Sequence, residues 1–183
     1  MISGILEAEG GFQKWPEDNG NWWGGKLVGT NRGITPADLV TWRGVSDVTE
    51  QDMRALTEAE AHAIFLALYY MKFRIERLPD VLEPAVFDFA VNSGANAISA
   101  LQRTLAAFGY GCDVDGSIGP QTVRMAYACL DAVPADIFLR AYMQERRAFL
   151  AGIVQRKPNQ AKFYNGWIER VDHLERELLN ELA

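Results

Sequence analysis

Between residues 12 and 33 five glycines (Gly20, Gly24, Gly25, Gly29 and Gly33) are interleaved with Trp15, Trp22 and Trp23. Glycine at that density makes turns and short hairpins and does not sustain a helix. Tryptophan in such a segment divides between two uses: filling the core, or stacking on a sugar ring at the edge of a groove. The composition favours at least one of the three lining a groove. The segment is also bounded sharply. Ile2, Ile5, Leu6 and Ala8 recur at helical spacing, and Gly10-Gly11 end that helix directly after Glu9.

Beyond residue 34 the punctuation is helical. Thr35-Pro36-Ala37-Asp38 reads as an N-cap, a first-position proline and a first-turn acid, opening a helix to about Arg43. Thr49 caps a short helix through Leu56, and Thr57-Glu58-Ala59-Glu60 reads as a capping box. The latter predicts one long amphipathic helix to about Arg77, with Ile64, Leu68, Met71 and Ile75 in the core and Tyr69 and Tyr70 at its edge. Pro84 starts a helix ending at Asn92-Ser93-Gly94; further helices are predicted over 97–108, 120–130 and 134–154. The last stretch runs from Asn159 to the end, with Gly166 as a candidate break. The predicted fold is therefore mainly α (α+β), with a helix bearing Glu9, a small irregular or β-hairpin region, and then a bundle of helices.

Composition excludes several classes. With 49% hydrophobic and 23% charged residues the chain is globular and not disordered. Its longest apolar run, residues 63–71, is too short for a membrane span, so no stable membrane insertion is expected. A net charge of −6 argues against nucleic acid. Residues 140–170 are the exception, with Arg140, Arg146, Arg147, Arg156, Lys157, Lys162 and Arg170 against only Glu145 and Glu169. They read as a solvated helix face or as a patch for an anionic polymer. Cys112 and Cys129 make no disulfide framework, and His62 and His173 read as ordinary surface residues. No metal and no organic cofactor is expected. Asp113-Val114-Asp115-Gly116 resembles the start of a calcium loop, but its glycine is misplaced and Pro120 falls inside it. Asp88 lies in an apolar stretch and needs a partner if buried.

Glu9, at the end of an apolar helix, reads either as an ordinary solvated residue before a helix-stop glycine pair or as a partly buried carboxyl, and partial burial raises a carboxyl pKa toward what a general acid requires. Glycoside hydrolysis combines such an acid with a second group that handles water or the developing positive charge. Glu17 and Asp18 are the loop carboxylates available for that second role, and the Thr30 hydroxyl is a candidate to hold a water.

Glu9-Gly10-Gly11-Phe12 followed by Gly29-Thr30-Asn31-Arg32-Gly33-Ile34-Thr35 resembles the N-acetylmuramidases of glycoside hydrolase family 108, found among phage endolysins and bacterial secretion activator proteins. The residues 86–94, Leu101-Gln102-Arg103, Asp115-Gly116-Ser117-Ile118-Gly119-Pro120-Gln121-Thr122 and Trp167-Ile168-Glu169-Arg170-Val171-Asp172 resemble that family's predicted peptidoglycan-binding region. The resemblance implies a lysozyme-like catalytic region over 1–92 and a helical binding region over 93–183. It implies that Glu9 is the catalytic acid, that Thr30 positions water, and that Asp18 is the nearest match to the family's loop aspartate. The loop from Asp18 to Thr30 is longer than the family pattern, which leaves Glu17 as a substitute. Trp22, Trp23, Tyr69 and Asn92 are the candidate substrate-binding residues, Asn92 toward an N-acetyl group.

The implied reaction is hydrolysis of the β-1,4 bond between N-acetylmuramic acid and N-acetylglucosamine of bacterial peptidoglycan. A lytic transglycosylase, or a non-catalytic wall-binding or secretion-associated module, stands as the alternative. The N-terminus carries Glu7 and Glu9 where an export signal would carry Lys or Arg. The expectation is therefore synthesis in the bacterial cytoplasm, with release to the periplasm or wall by a holin, a secretion apparatus or lysis. A phage or prophage origin and a monomeric state are expected.

Overall fold

The computed structural model describes residues 11–182, so the predicted first helix and Glu9 lie outside the described residues. The chain divides into two compact units, Met1–Lys72 and Phe73–Ala183.

In the first unit the glycine-rich segment forms a hairpin. Strands β1 (Trp22–Trp23) and β2 (Lys26–Leu27) pair antiparallel, with Trp22 opposite Leu27 and Trp23 opposite Lys26. The turn between them is Gly24-Gly25, both at positive φ (54° and 77°), the backbone that a tight two-residue hairpin demands. Three short helices follow: α1 (Pro36–Arg43), α2 (Glu50–Arg54) and α3 (Glu58–Phe65). The first two are opened by reciprocal capping boxes, Thr35 with Asp38 and Thr49 with Asp52. Thr57 caps α3 by accepting from the Glu60 amide. The Glu60 carboxylate instead accepts from Arg43 Nε and Nη2 at 2.9 and 3.0 Å.

The long helix predicted from Thr57 to Arg77 does not form as one piece. After Phe65 the backbone widens into a π-helical turn, Leu66–Met71, and Arg74 then adopts a left-handed conformation (φ 60°) before a 3₁₀ turn, Ile75–Arg77. A π turn inserts an extra residue, so the stripe Ile64, Leu68, Met71, Ile75 loses its register. Ile64 and Ile75 are buried, whereas Met71 is 55% exposed.

The second unit is a helical bundle: α4 (Glu83–Ser93), α5 (Asn96–Ala107), α6 (Pro120–Ala132), α7 (Ala135–Arg156) and α8 (Ala161–Glu181). Helix α4 is buried without a break from Pro84 to Ala90; α5 and α8 pack on it, and α7 packs on both of those. Asp88 sits in the middle of that run, and its partners are Arg146 of α7 and Arg170 of α8, at 2.6 and 2.7 Å. Helix α8 runs straight through Gly166, with Val171, Leu174 and Leu178 on its packed face.

The loop between α5 and α6 is held by one buried amide. Gln102 Nε2 donates to Asp115 Oδ1, the Ser117 carbonyl and Thr122 Oγ1 (2.8, 3.1 and 3.2 Å), while its Oε1 accepts from the Gly116 amide. Asp115, the residue reminiscent of a calcium ligand, spends the same oxygen on the Ser117 amide as well. Cys112 and Cys129 are free thiols.

Candidate active site

The chain that leaves Gly10-Gly11 is clamped to the far end of the hairpin loop. Gln13 and Thr30 exchange both backbone hydrogen bonds at 2.8 Å, forming an isolated antiparallel bridge. The bridge requires glycine beside it. Gly29 has φ +99°, and a Cβ there would lie 2.6 Å from Phe12 Cζ and 2.7 Å from the Gln13 carbonyl oxygen. The Arg54 guanidinium lies over the Phe12 ring, 3.8 Å from its centroid. Lys14 reaches Glu50 of α2 at 2.6 Å. Asn31, next to Thr30, is buried and donates to the Met53 carbonyl at 2.8 Å. The residues on both sides of the bridge are thus fixed to α2.

Thr30 is half-buried, and its hydroxyl makes no hydrogen bond among the described residues. Asp18 caps the 3₁₀ turn Asn19–Asn21 by accepting from the Gly20 amide at 2.9 Å, which fixes the direction of its carboxylate while leaving it open to solvent. Glu17 is exposed. The turn is closed from below by Asn21, fully buried, whose Nδ2 donates to the Trp15 carbonyl and whose own carbonyl accepts from Val28 and Gly29.

Trp22 is exposed, but its Nε1–H donates to the Pro16 carbonyl at 2.9 Å, so the ring is held over the loop that carries Asp18. Trp23 is half-buried. Successive strand residues point to opposite faces, so the two do not share one. Trp15 is the most exposed of the loop tryptophans. Tyr69 sits on the π turn, and its hydroxyl donates to Asp38 Oδ1 at 2.8 Å, the carboxylate whose other oxygen serves the α1 cap. Burial, together with the adjacent Asp38 charge, holds that phenol well above its ordinary pKa. Asn92 belongs to the second unit, where it donates to the Asp88 carbonyl one turn back.

The Asp38–Tyr69 bond and the Phe12–Gly29 contact are the features sequence reading missed. Only the second had a local signal, an isolated glycine just before Thr30. Among the described residues no cluster of three or more His, Cys, Asp or Glu side chains is grouped to hold a metal ion.

This mainly α architecture with one small antiparallel hairpin is of the lysozyme-like class. The family model described as Glycosyl hydrolase 108 matches residues 2–94, and that described as Predicted Peptidoglycan domain matches residues 96–172. The chain belongs to the glycosyl hydrolase 108 family. It is also similar to a solved structure titled "Structure of Brucella abortus SagA", with a TM-score of 0.79 and 30% identity over 98% of this chain and 91% of that one. No curated protein matches the chain.

Proposed function

We propose that this glycoside hydrolase is an N-acetylmuramidase that cleaves the β-1,4 bond between N-acetylmuramic acid and N-acetylglucosamine, with residues 1–92 catalytic and residues 93–183 holding the wall. The observation that carries the reading is the Gln13–Thr30 bridge. Gln13 lies four residues beyond Glu9, so the covalent chain between their Cα atoms spans at most about 14 Å. Thr30, whose hydroxyl makes no hydrogen bond among the described residues, is therefore tied by backbone hydrogen bonds to the segment that carries the proposed acid.

In this reading Glu9 protonates the glycosidic oxygen, and a water held by Thr30 attacks the sugar from the opposite face. Asp18 or Glu17 is the base: it takes the proton that the attacking water gives up and offsets the positive charge that develops on the ring; Asp18 is the better prepared, because its carboxylate is already oriented by the Gly20 amide. An acid and base about 6.5–9.5 Å apart leave room for water and invert the anomeric centre. Trp22, Trp23, Tyr69 and Asn92 are the proposed sugar contacts. The Nε1–H bond that orients Trp22 leaves its ring face available for stacking. No helix among the described residues is long and apolar enough to cross a membrane. The reading has the enzyme act at the bacterial wall, reaching it through a holin, a secretion apparatus or lysis.

The test is mass spectrometry of purified peptidoglycan digested with wild type and with Glu9→Gln. Reducing N-acetylmuramic acid ends from wild type alone support the muramidase. Anhydro ends would make the protein a transglycosylase, and intact peptidoglycan in both digests would leave only a binding role.

A further inference from the structure

The apolar stripe of α8 runs out of cover before the helix does. Val171, Leu174 and Leu178 are buried, and the same stripe continues toward the N-terminus through Trp167, half-buried, to Phe163, which is 40% exposed. The two rings lie nearly parallel, with centroids 6.2 Å apart and planes at 27°. The Lys162 ammonium stands 4.8 Å from the Phe163 centroid.

Two further observations bear on the same spot. Of the basic residues clustered in this part of the sequence, Arg146 and Arg170 are consumed by Asp88, and Arg147 by Asp172 and Glu175. Arg156 and Lys157 at the end of α7, and Lys162 at the start of α8, are exposed and make no ion pair among the described residues. No acidic residue occurs between Glu145 and Glu169, in a chain whose net charge is −6. The second observation is Gly166. A Cβ at that position would meet nothing within 4 Å, so packing inside the protein gives no reason for glycine there. Glycine inside a helix lowers stability relative to alanine. It also leaves the backbone beside Phe163 and Trp167 open to close approach from outside.

We propose that the α7–α8 turn is the surface on which the second unit holds peptidoglycan, with a sugar ring laid against Phe163 and Trp167 over the gap at Gly166, and the carboxylates of the stem peptides met by Lys157, Lys162 and Arg156. The inference rests on the wall-binding reading above and assigns it residues. Aromatic faces take the C–H side of a sugar ring, and a cationic rim selects an anionic polymer. The match of the Predicted Peptidoglycan domain model includes this whole turn.

The experiment uses the full chain carrying Glu9→Gln, so that the wall is not consumed, and measures co-sedimentation with purified peptidoglycan sacculi. Phe163→Ala, or Lys157→Glu with Lys162→Glu, raises the apparent Kd about tenfold, the scale of losing one strong contact. Gly166→Gln weakens binding while raising the thermal midpoint, because glutamine is the better helix former. That opposite movement separates an occupied gap from a folding defect. Binding by all these variants within about twofold of the parent overturns the inference, even if wild type still cleaves peptidoglycan. Binding to phosphatidylglycerol vesicles and not to sacculi would overturn it in favour of a membrane surface. If wild type neither cleaves nor sediments with sacculi, the wall-binding reading fails and this inference with it.

Discussion

Arg146 Nη2 lies 2.6 Å from Asp88 Oδ2, and both side chains are essentially withdrawn from solvent. Arg170 takes the other carboxylate oxygen, and the Arg146 guanidinium lies 5.0 Å from the Phe89 ring centroid. Removing one member of a buried pair leaves the other charged and unmatched, which costs more than the pair itself contributes. Asp88→Asn is expected to lower stability by about 3–5 kcal/mol in urea unfolding, while replacing Asp88 and Arg146 together by Leu and Met costs less.

The same carboxylate has a pH signature. Burial pushes its pKa up, but the charges of Arg146 and Arg170 outweigh burial and hold it below the ordinary carboxylate value. A group depressed in the folded state binds more protons when unfolded, so its stabilisation is complete above the ordinary value and is lost as pH falls toward the native one. Wild-type stability should therefore drop below about pH 4, and Asp88→Asn should lack that part of the drop. Urea midpoints measured from pH 6 downward decide this.

Gly29→Ala meets both a left-handed backbone and the Phe12 ring. The expected loss is at least about 1–3 kcal/mol of strain, together with opening of the Gln13–Thr30 bridge. Hydrogen exchange at the Gln13 and Thr30 amides would report the opening, and sacculus cleavage would fall with it. Amides that stay protected would show that the close approach does not matter.

Thr30→Val keeps the shape of the side chain and removes its hydroxyl. If Thr30 positions the attacking water, kcat falls by about a hundredfold at unchanged thermal stability, and Thr30→Ser restores much of it. Activity equal to wild type in the valine variant would remove Thr30 from the mechanism.

Gln102→Leu deletes the α5 amide that ties down the residue 115–117 loop and leaves the buried Gly116 N–H without its acceptor. About 1–3 kcal/mol of stability should go, with exchange protection lost first at Gly116 and Ser117. Uniform loss of protection across the bundle would argue against a local clasp.

Much of the architecture was legible because it is decided within a few residues. A threonine followed three positions later by an acid competes locally for helix-terminal amides, and Thr35 and Thr49 open their helices as read. Gly24-Gly25 permit a backbone that other residues resist, and the hairpin turns there. That a carboxylate at position 88 needs a partner follows from the cost of burying charge.

Which partner it finds does not follow. Arg170 is 82 residues away from Asp88, and nothing local distinguishes it or Arg146 from their basic neighbours. The π turn at 66–71 was equally unreadable, since the stripe from Ile64 to Ile75 keeps helical period and carries no glycine or proline. The turn carries Tyr69, whose hydroxyl meets Asp38 on another helix. Gly166 looked like a break, yet α8 continues because burial of Val171, Leu174 and Leu178 outweighs the glycine's cost. The sequence by itself determined caps, turns and the need for charge pairing, all settled by neighbouring atoms. Tertiary structure alone decided the pairings, the register beyond Phe65 and which aromatics stay uncovered, because those energies exist only once distant segments meet.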